Sequence, residues 1–103
     1  MSLTSRLFPK RHANWVFLRQ LTDEVGREVE ARSHEQLGKA AEDQPLITRT
    51  VNDVYVYWQV DCIGRDKDDN LRICIDCHSK LSTPFGILPS YVFTKMKDGT
   101  VRY

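Results

Sequence analysis

Long apolar runs are missing from this sequence. The longest strictly apolar stretch is Trp15-Val16-Phe17-Leu18, far short of the roughly 20 residues of a membrane-spanning helix and of the roughly 7–15 of a signal-peptide core. No membrane partner and no export signal are expected. Cysteine is scarce and odd in number, with Cys62, Cys74 and Cys77 alone. That excludes a disulfide scaffold and suits a reducing, cytoplasmic setting. Charge of one sign is also missing: fifteen Lys plus Arg against fourteen Asp plus Glu leave +1. No global field attracts nucleic acid or anionic lipid. Nucleophile elbows, phosphate loops and dinucleotide fingerprints are absent too, which removes the motif-bearing enzyme classes.

What is present fits a single α+β domain spanning 1–103, because 103 residues support one core and leave little chain for a second. At 41% hydrophobic and 28% charged, the composition is that of a folded globular chain rather than a disordered one. The near-neutral total hides a pattern. Residues 1–12 carry Arg6, Lys10 and Arg11 with no acid and read as a basic N-terminal arm, whereas residues 13–43 hold four bases and seven acids.

From 14 to 42 the spacing predicts a helix, with Trp15, Leu18, Leu21, Val25 and Val29 recurring at steps of three and four. Ser33-His34-Glu35-Gln36 has the form of a capping box, so the helix is expected to bend or restart near 32–34. Asp43-Gln44-Pro45 ends it. Beyond Pro45, over 46–103, the pattern changes to β. Val54 to Ile63 and Leu71 to Cys77 alternate strongly around a polar turn and form a hairpin, preceded by a short strand at Leu46 to Thr50. Tyr91 to Met96 and a short partner after Lys97-Asp98-Gly99 complete the set. The expected fold is a long N-terminal helix, with a bend or restart near 32–34, packed on a curved antiparallel sheet of three to four strands. This element order resembles the cystatin-like and nuclear-transport-factor-like architectures, in which a sheet wraps around an N-terminal helix. The resemblance implies a fold and no chemistry.

Two constellations could carry function. In the first, Cys62, Cys74, Cys77 and His78 supply the three sulfurs and one nitrogen of a structural zinc site. Cys74-Ile75-Asp76-Cys77-His78 also has the form of a c-type haem attachment motif, which belongs to exported proteins, and Cys74 with Cys77 has redox-pair spacing. Hairpin geometry argues against convergence. If Val60 and Cys62 share the buried face with Ile73 and Ile75, paired residue numbers sum to an odd value, and Cys62 and Cys77 then face the core while Cys74 faces away. A turn centred on Asp68-Asp69 would make Cys62 and Cys77 diagonal neighbours. No cofactor is the expectation, with zinc as the alternative.

The second constellation is an aromatic outer sheet face. Tyr55 and Tyr57, joined by Tyr91 and Phe93, would lie opposite the helix, where a chain of this length has no second layer to cover them. Self-association into a homo-oligomer through that face is the leading expectation. A small apolar or aromatic ligand in a pocket on the sheet is the alternative, and nucleic acid is not expected because Asp61 and Asp76 share the region. The chain is therefore read as a binding or interaction module and not as an enzyme.

Overall fold

Pro9 opens the long helix, α1 (Pro9–Glu30), at a position where its fixed φ suits the helix and its missing N–H is no loss. The structure is a computed structural model that describes residues 6–103. The expected arm is thereby shortened. Residues 1–5 lie outside the described residues, and Lys10, Arg11 and His12 belong to α1 rather than to a loose terminus. The Arg11 guanidinium stands 5.6 Å from the centre of the Phe8 ring, and Phe8 meets Phe85 edge-on at 6.2 Å.

The helix expected over 14–42 is divided. α1 ends at Glu30, and Ser33 caps a short second helix, α2 (His34–Gly38), followed by α3 (Ala40–Asp43). Both capping-box bonds form: Gln36 N–H donates to Ser33 Oγ at 3.1 Å and Ser33 N–H to Gln36 Oε1 at 3.0 Å. Gln44, left-handed at φ 41°, turns the chain out of α3.

α1 buries Leu18, Thr22, Val25, Gly26 and Val29. Leu21 is only partly buried and Trp15 half-buried, so a threonine holds the middle of the stripe. Its hydroxyl donates to the Leu18 carbonyl at 2.7 Å and accepts from Trp58 Nε1 at 2.9 Å. Both polar groups are thus satisfied inside the core.

The sheet has five strands rather than three to four: β1 (Leu46–Val51), β2 (Val54–Arg65), β3 (Leu71–Ser79), β4 (Ser90–Lys95) and β5 (Val101–Arg102). They lie side by side in chain order, each pair antiparallel. Asn52 and Asp53, both at positive φ, make the tight two-residue turn between β1 and β2. At the β2–β3 tip the Asp66 carboxylate accepts from the Asp68 and Asn70 N–H groups and from Asn70 Nδ2. These bonds hold the carboxyl below its usual range.

Trp58 pairs with Cys77, Val60 with Ile75 and Cys62 with Ile73, until a bulge between Cys62 and Gly64 shifts the register. The β2–β3 and β3–β4 registers place Val56, Trp58, Val60, Leu71, Ile73, Ile75, Cys77 and Phe93 on one face, where they pack with Leu18, Val25, Val29, Leu37 and Ala40 from the helices. The opposite face is exposed or half-buried along its length.

Candidate functional site

On that second face Tyr57 of β2 pairs with His78 of β3, and Thr48 of β1 pairs with Tyr57 from the other side. Directly opposed side chains share a face, so the two rings are neighbours by construction. Their centroids are 4.7 Å apart and their planes are 11° from parallel, a stacked pair. Tyr55, two residues along β2, continues the aromatic row at 6.1 Å from Tyr57. It is 58% exposed.

An open groove of about 650 Å³ runs along this row. Tyr55, Tyr57 and His78 form one wall, and Lys80, Leu81 and Leu88 from the β3–β4 connection form another, with Asp53 of the tight turn at its end. The groove exists because the chain leaving β3 folds back. Cys77 N–H donates to the Pro89 carbonyl at 3.2 Å, and Asn14 of α1 donates through Nδ2 to the Ser82 carbonyl at 2.9 Å. An aromatic wall opposite an aliphatic one, with a lysine and an aspartate among the lining residues, can seat a small planar or apolar group and orient its polar edge.

No family model, no curated protein and no solved structure matches this chain. Its function is therefore read from geometry.

Two of the four aromatic residues expected on the outer face are on the inner one. Tyr91 pairs with Ile75 and Phe93 with Ile73, so both point at α1, and Phe93 is fully buried. Tyr91 lies against the backbone of Gly26, where an added Cβ would sit 2.5 Å from the ring carbons Cδ1 and Cδ2. Its hydroxyl donates to Glu30 Oε1 at 2.6 Å. Burial, then the bond to the Glu30 carboxylate, pushes its pKa far above the ordinary tyrosine value. Next to it Lys95 Nζ donates to the Glu30 carbonyl at 2.7 Å, so a lysine satisfies a free carbonyl at the end of α1.

The four candidate metal ligands do not converge. Cys77 is buried against the helix and Cys62 shares its face, while Cys74 and His78 are on the other side of the sheet. Among the described residues no group of three or more His, Cys, Asp or Glu is placed to share a metal ion. The turn also differs from the one that would make Cys62 and Cys77 diagonal, since Cys62 pairs with Ile73 and Cys77 with Trp58. All three thiols are free. Burial, with the Asp76 carboxylate beside it, pushes the Cys74 thiol up to about 11, and burial raises Cys77 as well. A thiol held neutral at physiological pH is a poor nucleophile and a poor redox partner.

Sequence spacing assigns His78 to a metal site and Tyr57 to an interface; their contact makes them one unit. An odd sum allows this pairing, and the observed turn, two residues shorter in sum than one centred on Asp68-Asp69, is what sets His78 rather than Lys80 opposite Tyr57. Lys80, Leu81 and Leu88 carry no such signal, because they enter the groove through the path of a loop.

Proposed function

We propose that this chain is a non-enzymatic binding module, acting in the cytoplasm, whose groove beside Tyr57 and His78 holds a small aromatic or apolar group. The stacked Tyr57–His78 pair on an uncovered sheet face carries the reading. It presents planar aromatic surface that is half-buried or exposed among the described residues, with Leu81 and Leu88, which also pack against the core, along the other side of the groove. Among the described residues no hydrogen bond orients the His78 ring, and the Cys74 thiol, four residues away along β3, is held neutral. General acid–base or thiol chemistry would require the opposite of both.

Titration of isotope-labelled protein with indole and with naphthalene carboxylate tests the groove. Amide shifts are expected to cluster at 53–57 and 78–81 and to vanish in Tyr57→Ala. Shifts confined elsewhere, or unchanged by Tyr57→Ala, would sink the reading.

A second use of the same face is self-association, favoured by Tyr55 and Leu46, which are 58% and 59% exposed. With Tyr91 and Phe93 turned inward, the face keeps Gln59, Asp61, Arg72 and Asp76 among its aromatics. That polarity suits a transient contact better than a permanent sheet-on-sheet dimer. If the face does mediate a dimer, Tyr55→Asp returns it to monomer in light scattering.

A further inference from the structure

The two edges of the sheet are built differently. β5 is two residues long and ends on Arg102, a short and charged edge of the kind that discourages pairing. β1 has none of these guards. It runs six residues, Leu-Ile-Thr-Arg-Thr-Val, with no proline, no lysine and an unbroken register against β2. Its one charge, Arg49, is turned to the helical side, where it forms an ion pair with Glu28. Threonine, isoleucine and valine are all residues that favour strands.

The phase of the β1 backbone is fixed by a bond just before it. Val60 N–H donates to the Pro45 carbonyl at 3.0 Å. In an antiparallel ladder, hydrogen-bonded positions alternate. Ile47, Arg49 and Val51 therefore bond inward to β2, and Leu46, Thr48 and Thr50 turn their N–H and C=O groups to the free edge. The same three residues are exposed.

We infer that β1 pairs antiparallel with β1 of a second copy about a two-fold axis through Thr48. In this register Thr48 opposes Thr48 of the partner and Leu46 opposes Thr50. Every outward N–H and C=O of the three residues then finds a partner. Moving the strands one way sets Arg49 against its own copy, a like-charge contact that opposes pairing. Moving them the other way leaves Thr50 without a partner. Hydrogen bonding and charge thus select a second copy of this chain in one register. The product is a continuous ten-stranded sheet in which the groove faces of both copies lie on the same side. Its seam carries Leu46 beside Thr50, and Thr50 beside Tyr55. A seam of this length buries less than a standard protein interface, so the dimer is concentration-dependent.

This assembly does not depend on the groove being a ligand site, and the experiment separates the two. In light scattering across a concentration series, the mass is expected to rise from one chain toward two. Thr48→Pro removes the central outward N–H and spares the bonds to β2, and Thr48→Lys places two ammonium groups at the axis. Each is expected to hold the protein as monomer with wild-type circular dichroism, whereas Tyr57→Ala still dimerises. If Thr48→Pro disturbs the fold, Thr48→Lys decides. On oxidation, Thr48→Cys in a Cys74→Ser background is expected to link two chains, and Thr50→Cys is not. A mass fixed at one chain throughout, or a dimer that survives Thr48→Lys, overturns the inference. So does a dimer abolished by Tyr55→Asp and untouched at Thr48, which would assign it to the face.

Discussion

Replacing Gly26 by alanine is the sharpest test of how the helix and sheet meet. By helix propensity alone the change stabilises α1 by about 1 kcal/mol. The packing reverses the sign. The new methyl would lie 2.5 Å from the Tyr91 ring carbons, about 1 Å inside ordinary van der Waals contact between carbons. The ring is held from three sides: by β4, by its bond to Glu30, and by its edge-on contact with Phe93 at 6.1 Å. It cannot retreat without losing the Glu30 bond. Overpacking costs about 1–3 kcal/mol, and loss of a hydrogen bond to a charged carboxylate about 1.5–3 kcal/mol. Set against the propensity gain, the expected net loss is about 2–4 kcal/mol. For a domain of this size that lowers the melting temperature by about 10 °C or more. Urea and thermal denaturation followed by circular dichroism measure it. Adding Tyr91→Ala removes the clash, so the double variant should be no less stable than Tyr91→Ala alone. A Gly26→Ala protein more stable than the parent would refute the close approach.

Thr22→Val keeps the shape of the core residue and strands the Trp58 indole N–H, so urea denaturation should show a loss of about 1–3 kcal/mol, whereas Thr22→Ser should retain most of the stability. Alkylation of Cys74, followed by mass spectrometry, should be slow near neutral pH and accelerate only as pH approaches about 11, where burial and Asp76 place its pKa. Asp76→Asn should bring that acceleration to lower pH. Because the folded pKa lies above the ordinary value of 9.0, the neutral thiol's contribution to stability is complete below pH 9 and is lost as pH rises toward 11. Stability that is flat through this window would contradict the burial of Cys74.

The β2–β3 face assignment was legible because Val56, Trp58, Val60, Ile73 and Ile75 alternate without exception and the odd-sum rule follows from the pleat. The break after α1 was legible in Ser33 and Gln36, whose capping bonds are local. The phase of β4 is hidden by residue type. Tyr91 and Phe93 were grouped with Tyr55 and Tyr57 by residue type, although Ser90, Val92 and Thr94 between them mark the outer side. Lys95 on the inner face obscured the alternation, since its place there depends on the α1 carbonyl it caps. Gly26 was the missing clue, because a glycine on a buried helix face leaves room for a ring from elsewhere. The start of α1 was hidden by charge: Lys10 and Arg11 suggested a loose arm where Pro9 marks a first helical turn. The far wall of the groove depends on the path of residues 80–89, set by long-range bonds from Asn14 and Cys77 that no local pattern encodes.

The alternation along β3 also makes that strand a divided instrument. Ile73, Ile75 and Cys77 belong to the interior, and Cys74, Asp76 and His78 to the surface where a ligand would arrive. Two residues adjacent in sequence therefore answer different questions. A probe at His78 reports occupancy of the groove with little disturbance of the packing. One at Ile75 or Cys77 reports whether helix and sheet remain joined. A ligand that acts only as an occupant should move the first signal and leave the second still.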